Sequence, residues 1–399
     1  MSDERLKSDN IAQMDIKNRK KVLVADDSAL MRRVMCDIIN SDEGLYVEDE
    51  VRNGLEAYDL LTTKSYDAVV LDIIMPKMTG LELLERLQKD GVAISAIMAS
   101  TLTKEGADET LKALELGAID FVAKPNNFIE AKGADYTAAL LAAIKNAIAI
   151  TAKRGRSTQS GTHVRTSMGT AENEANDSSR ELQKPKITET QAKLDKLNHN
   201  KPIGPAAKSK IVALACSTGG PKSLQSVVPF LPGNLDAPVL IVQHMPAGFT
   251  AMMASKLDKI SKLHIQEAAE GDIIRKGNVY VAPGGFHMNV VKSGTEYRIK
   301  LTDEPIREGV KPCANYMYES LISSNFEEIT CVVLTGMGAD GTAGIKNLAK
   351  EKKIYCIAQD EATSVVYGMP RAIYEAGLVN QVVPLDGVVE AIIKNVGVN

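Results

Sequence analysis

The chain has 399 residues, which at roughly 150 residues per domain suggests two or three domains. With 44% hydrophobic and 25% charged residues it has an ordinary globular composition, which excludes wholesale disorder, a collagen-like fibre and a disulfide scaffold. Lys and Arg number 47 against 51 Asp and Glu, a formal net charge of −4, so the whole chain lacks the basic excess expected of a protein that binds nucleic-acid phosphates.

The five cysteines (Cys36, Cys216, Cys313, Cys331, Cys356) form no C-x-x-C pair, and Cys216, Cys331 and Cys356 lie in apolar runs as expected of buried thiols. That usage fits a reducing compartment. The first 21 residues are polar throughout and offer no signal-peptide core. No uninterrupted apolar run approaches the ~18 residues of a membrane span. A soluble cytoplasmic protein without membrane insertion is expected.

Residues 20–150 alternate strand-like and helical patterns. The strands read 21–26, 46–51, 67–72, 94–100 and 118–124, with helices such as Ala29–Asn40 and Gly80–Lys89 between them and a closing helix at Ala134–Ile150. Five such units predict a doubly wound parallel sheet. Composition then changes. Residues 151–210 contain no aromatic Phe, Tyr or Trp, only seven Ile, Leu, Val or Met, and a charge of +6. A flexible basic linker is expected over 151–207, with short helical patches such as Thr188–Leu197 still open. From 208 to 397 the α/β rhythm resumes, with strands at 210–216, 238–244, 278–283, 330–336 and 353–359 and a hairpin arm at 290–301 turning on Ser-Gly. The fold class is α/β, with two parallel-sheet domains, the second Rossmann-like.

Ligands of parallel α/β sheets sit at the carboxyl ends of the strands. In the first domain, strand one ends in Asp26-Asp27, strand three in Asp72, strand four in Ser100 and strand five in Lys124. Three carboxylates at one edge repel unless a cation joins them, and an oxygen-only set suits Mg²⁺. Lys124 could neutralise a phosphoryl group and Ser100 could hydrogen-bond it. VLVADDS (22–28), LDIIMPKMTG (71–80), Ser100-Thr101 and FVAKP (121–125) together resemble a response-regulator receiver domain. The resemblance implies that Asp72 accepts a phosphoryl group from a histidine kinase. It also implies that Asp26, Asp27, Asp72 and the Ile74 carbonyl hold Mg²⁺, that Lys124 pairs with the phosphoryl group, and that Ser100 and Phe121 are the switch residues.

The second domain is too long and too rich in strands for a helix-turn-helix, and it has no compact basic recognition helix. Of the five histidines, His163 and His199 lie in the linker segment and His264 in what reads as a polar connection, while His244 and His287 follow strands. Ser217 ends the first strand of this domain and is followed by Thr218-Gly219-Gly220-Pro221, a tight turn into a helix. A hydroxyl there would face unpaired helix N–H groups able to stabilise an oxyanion. Asp340 lies in a second glycine-rich strand-to-helix turn. Taken singly, Ser217 and Asp340 read more simply as helix caps. Together with a histidine they suggest a triad, recognised by roles and not by chain order. Physical reasoning on the residues does not choose between His244 and His287.

CSTGGP (216–221), VQHMPAGFT (242–250), VAPGGFHM (281–288) and LTGMGADGTAGI (334–345) resemble the catalytic domain of the chemotaxis protein-glutamate methylesterase (CheB) family. By that resemblance Ser217 is the nucleophile, His244 the general base and Asp340 its orienting acid. The Met337 N–H and Thr218 support the oxyanion, and His287 is a neighbouring site residue. Ala215-Cys216 stand where Gly-Ala is common in the family, placing larger side chains beneath Ser217. The resemblance implies methyl-accepting chemoreceptors as substrate, glutamine deamidation as a further activity, Mg²⁺ for receiver phosphorylation and no cofactor for ester hydrolysis. It also implies that the unphosphorylated receiver covers the active site. The competing expectations are a phospho-switched receptor-binding module without catalysis, and the same esterase acting on a non-chemotaxis receptor.

Overall fold

The computed structural model describes residues 19–101, 103–125, 127–157 and 209–398. The N-terminal residues and most of the segment read as a linker, including His163, His199 and the 188–197 patch, lie outside the described residues.

The first domain is a five-stranded parallel sheet in the order β2-β1-β3-β4-β5. The strands are β1 (Lys20–Ala25), β2 (Leu45–Val51), β3 (Ala68–Asp72), β4 (Ala96–Ser100) and β5 (Asp120–Ala123). β3 and β4 are buried along their whole length, as strands covered on both faces must be. The helices are α1 (Ala29–Asn40), α2 (Gly54–Thr63), α3 (Gly80–Lys89), α4 (Lys104–Glu115), the short α5 (Phe128–Ala131) and α6 (Ala134–Ser157). Ser28, Asn53, Thr79 and Thr103 cap the first four through their side chains. α6 continues seven residues into the segment expected to be linker, as far as Ser157.

The second domain carries a seven-stranded sheet in the order β14-β13-β12-β6-β7-β9-β8. Its strands are β6 (Lys210–Cys216), β7 (Val239–Gln243), β8 (His264–Glu267), β9 (Asn278–Val281), β12 (Glu328–Val333), β13 (Ile354–Gln359) and β14 (Gln381–Val383), all paired in parallel. β10 (His287–Ser293) and β11 (Glu296–Thr302) form the expected hairpin, three residues longer at its start than its sequence pattern suggests. The helices used below are α7 (Gly220–Val227), α8 (Phe249–Ile260), α9 (Ala314–Ser320), α10 (Thr342–Glu351), α11 (Met369–Glu375) and α12 (Val388–Val396).

One reading is corrected: His264 does not lie in a connection but opens the edge strand β8. Only Ile265 of this strand is buried, so His-Ile-Gln-Glu carries too little apolar pattern to be seen as a strand; its pairing with β9 makes it one. All five cysteines are buried and free, including Cys36 and Cys313, whose polar neighbours concealed this.

Strand order decides where chemistry can occur. In the first sheet the chain runs outward from β1 to β2 and then reverses to β3, so a crevice opens between the ends of β1 and β3. In the second, β6 is flanked by β7 on one side and β12 on the other, which opens a crevice at the end of β6. The two domains pack together, and one apolar cluster runs from Leu111 and Leu114 of α4 into Leu224 of α7 and Phe249 of α8.

Candidate active site

The β6–β7 ladder aligns Cys216 with Gln243, so the next residues, Ser217 and His244, leave adjacent strand ends side by side. Gly219 at φ 79° makes the turn after Ser217, and Pro221 opens α7 where its missing N–H costs nothing. A Cβ on Gly219 would also sit 2.5 Å from Val365 Cβ, so glycine is required twice over. Ser217 and His244 face a common cavity of about 80 Å³.

His244 Nε2 lies 2.8 Å from Asp340 Oδ2. Asp340 is buried and is held by the N-terminus of α9. Ala314 N–H donates to Oδ2 at 2.6 Å, Asn315 N–H to Oδ1 at 3.0 Å, and the Cys313 thiol to Oδ1 at 3.0 Å. Its own loop adds Gly341 N–H at 2.8 Å. Burial alone would raise this carboxyl, but the His244 contact, the Cys313 thiol and the Ala314 N–H outweigh it and hold it below the ordinary carboxylate range. The Cys313 thiol is pushed up to about 12 by burial and the Asp340 charge, so it remains a donor. Asn315 in turn accepts from Gly341 N–H and Gly344 N–H, locking α9 against the start of α10.

The structure therefore brings His244, and not His287, to Asp340. His287 is fully buried. Its Nδ1 accepts from Cys313 N–H at 3.1 Å and its Nε2 donates to Pro305 O at 3.3 Å, which defines the neutral Nε2–H tautomer. Burial lowers its pKa in agreement. It stands behind the α9 turn that holds Asp340. Met337 lies in the loop after β12 and is half exposed. Gly336, just before it, lies so close to Ser217 that a Cβ there would be 2.8 Å from Ser217 Cβ.

Thr218 faces the other domain. Its hydroxyl donates to Asp120 Oδ2 of β5 at 2.7 Å, and burial at this junction raises the Asp120 carboxyl. Phe121 stacks on Phe249 with ring centroids 4.6 Å apart. Asp120 and Phe121 line the same cavity as Ser217 and His244. Lys256 of α8 pairs with Asp108 at 3.2 Å and Glu115 at 3.7 Å, both on α4. The first domain thus stands over the Ser217–His244 pair.

At the β1/β3 crevice, Asp26, Asp27 and Asp72 offer carboxylate oxygens within 4.8 Å of one another. Lys124 reaches Asp26 at 2.7 Å and Asp72 at 2.8 Å. Burial pushes the Asp72 carboxyl up to about 6, opposed by Lys124 and reinforced by Asp26. Three acidic oxygens balanced by a single ammonium leave an excess of hard negative charge, which fits a divalent cation such as Mg²⁺. Ile74, Ser100 and Lys124 line the cavity of about 200 Å³ above Asp72. Ser100 is turned into the α4 helix, where its hydroxyl meets Gly106 O at 3.1 Å and Thr110 Oγ1 at 2.5 Å.

Four residues of this site escaped sequence reasoning: Asp120, Gln243, Cys313 and Asn315. Gln243 carried a signal, a lone amide closing the apolar run VLIV. The others become neighbours only through the packing of distant segments.

The response regulator receiver domain family matches residues 22–133, and the CheB methylesterase family matches residues 212–392. A protein-glutamate methylesterase/protein-glutamine glutaminase of Pyrococcus abyssi is 40% identical over 385 residues, covering 96% of this chain and 95% of its own length. A protein of the same description from Geobacillus kaustophilus is 37% identical over 94% of this chain and 99% of its own. Among solved structures, the Thermotoga maritima CheB methylesterase catalytic domain is 36% identical, with a TM-score of 0.45, over 47% of this chain and 98% of that one. The response regulator domain of Thermotoga maritima CheB is 36% identical, with a TM-score of 0.30, over 33% of this chain and 97% of that one. With a receiver domain preceding a catalytic domain and near-complete alignment to its relatives, this chain belongs to the CheB protein-glutamate methylesterase family.

Proposed function

We propose that this protein hydrolyses glutamate methyl esters on chemoreceptors under phosphorylation control, and deamidates receptor glutamines by the same acyl chemistry. The observation that carries this reading is the His244–Asp340 pair at 2.8 Å beside Ser217 on the neighbouring strand end. With Nε2 committed to Asp340, His244 presents Nδ1 as the base. Ser217 Oγ attacks the ester carbonyl as His244 takes its proton. The Met337 N–H and Thr218 stabilise the oxyanion, and methanol leaves with the proton returned by His244. Water then attacks the acyl-serine, again through His244, and frees the glutamate. From glutamine the leaving group is ammonia.

Residues 20–150 act as the receiver, 151–207 as a connector and 208–397 as the hydrolase, in the cytoplasm. Asp72 takes its phosphoryl group from the histidine kinase of the pathway. Asp26, Asp27, Asp72 and the Ile74 carbonyl would hold Mg²⁺, which would supply charge neutralisation there. Lys124 and Ser100 turn to the new oxyanions and Phe121 moves with them. The hydrogen bond from Thr218 to Asp120 supports reading this arrangement as the covered one, since that hydroxyl is not free for an oxyanion.

The test is methanol release from methylated receptor by the full chain, with and without a small phosphodonor. Wild type should be stimulated by the phosphodonor, and Ser217→Ala should lose activity by about three orders of magnitude or more while keeping its fold. Undiminished release by Ser217→Ala would sink the nucleophile assignment. Absence of release in both states despite tight receptor binding would favour a non-catalytic binding module.

A further inference from the structure

The feature left unused by the mechanism is the buried amide beneath the Ser217 turn. Gln243 closes β7 with only 2% of its surface exposed. Its Nε2 donates to Ser217 O at 3.1 Å and to His244 O at 3.2 Å. Its Oε1 accepts from the Cys216 thiol at 3.1 Å. Two carbonyl acceptors can be met only by the NH₂ end, so the partners fix which way the amide points. The space it fills is made by Gly220, where a Cβ would lie 1.9 Å from Gln243 Oε1.

The geometry points to Gln243 as a positioning residue that ties the nucleophile to the base, with Cys216 holding the amide in place. This rests on the proposed roles of Ser217 and His244. The parallel ladder ends here on a long bond, His244 N–H to Cys216 O at 3.3 Å, so backbone pairing alone holds the two strand ends loosely. One side chain bonded to both following carbonyls takes over where the ladder stops. The Ser217 carbonyl is fixed further by Gly220 N–H at 2.7 Å. Asp340 holds the far side of the His244 ring. The Ser217 and His244 backbones, which carry the nucleophile and the base, can then shift apart only by breaking a buried hydrogen bond. The thiol at 216, one of the two side chains that set this chain apart from the common motif, supplies the donor for Oε1. Without it that oxygen would be buried and unpaired.

The experiment uses the full chain with phosphodonor and methylated receptor. It reads kcat and KM for methanol release, and the rate at which a fluorophosphonate labels Ser217. Gln243→Leu keeps a similar volume and removes both donors. It should lower kcat about 10–100-fold, the order expected when reacting groups are misplaced by ~1 Å, with KM within about two-fold. Labelling should slow in proportion. Gln243→Glu, which faces both carbonyls with a carboxylate, should be at least as slow. Cys216→Ala should lose about three-fold or more, and Cys216→Ser, which keeps a donor, should recover most of that. Wild-type kcat and labelling in Gln243→Leu, or a loss confined to KM, would overturn the clamp. Should Gln243→Leu fail to fold, the Cys216 pair decides alone, and equal rates in its Ala and Ser variants overturn it. Ser217→Ala run alongside separates the two readings. If it stays active the proposed function itself fails, whereas a dead Ser217→Ala beside a fully active Gln243→Leu removes only the clamp.

Discussion

Asp340 shows how much of a site can rest on one side chain. Its carboxylate receives five donors, two of them from the α9 N-terminus and one from a thiol. Asp340→Asn would turn an NH₂ group toward some of these donors and release the His244 tautomer. Methanol release should fall by about 10²–10⁴-fold. The same contacts hold its folded-state pKa below the ordinary carboxyl value, so the stabilisation is complete above about pH 4 and is lost as pH falls further through the folded pKa. Denaturant melts should therefore separate wild type from Asp340→Asn at pH 7, and the gap should close progressively below pH 4. Ser217 and Asp72 stood out as candidates in the sequence because each ends or follows an apolar run at a strand end, and Asp340 because it lies in a glycine-rich strand-to-helix turn. The choice of His244 over His287 was not legible from the residues alone, since both follow strands. The fold decides it: His287 is bonded to Cys313 N–H and Pro305 O behind the α9 turn, whereas His244 leaves β7 beside Ser217 and reaches Asp340.

At the scale of elements, the glycine-rich turn after β12 brings two helix starts together. Gly344 in α10 packs so closely on α9 that a Cβ would lie 2.7 Å from both Asn315 Cα and Asn315 O. Gly344→Ala must push α9 away, and with it the N–H groups that hold Asp340. The variant should be less stable by about 1–3 kcal/mol, read as a lower thermal midpoint, and its kcat should drop while an exposed substitution such as Lys346→Ala leaves both unchanged. Helices with caps and clear periodicity were readable to the residue, as in Ala29–Asn40 and Gly80–Lys89. The edge strands of the second sheet were not. β8 and β14 are four and three residues long, and their identity comes from the strand alongside, not from their own pattern.

For the whole molecule, the order of a receiver followed by a hydrolase was legible from dispersed motifs, but the surface joining them was not. That surface mixes an apolar stack, a hydrogen bond at Thr218 and the Lys256 ion pairs with Asp108 and Glu115. Its members are ordinary surface residues on each domain and gain meaning only when the domains meet. Lys256→Glu places like charges across the junction. Without phosphodonor, methanol release by this variant should rise several-fold over wild type at low salt, and the difference should shrink as salt shortens the Debye length to ~3 Å at 1 M. Equal unphosphorylated rates at all salt concentrations would show that these pairs do not hold the receiver down.

Strand β5 carries Asp120 and Phe121, which meet the other domain, and leads directly to Lys124, which bridges Asp26 and Asp72. On the proposed function, sensor and cover are separated by four residues, about 13 Å of extended chain. A segment with two such duties is genetically pleiotropic. Mutations in it cannot alter sensitivity to the input without also altering leakiness in its absence, so variants selected for one trait will drift in the other. Independent adjustment must fall to residues off this strand, such as those on α4 and α8.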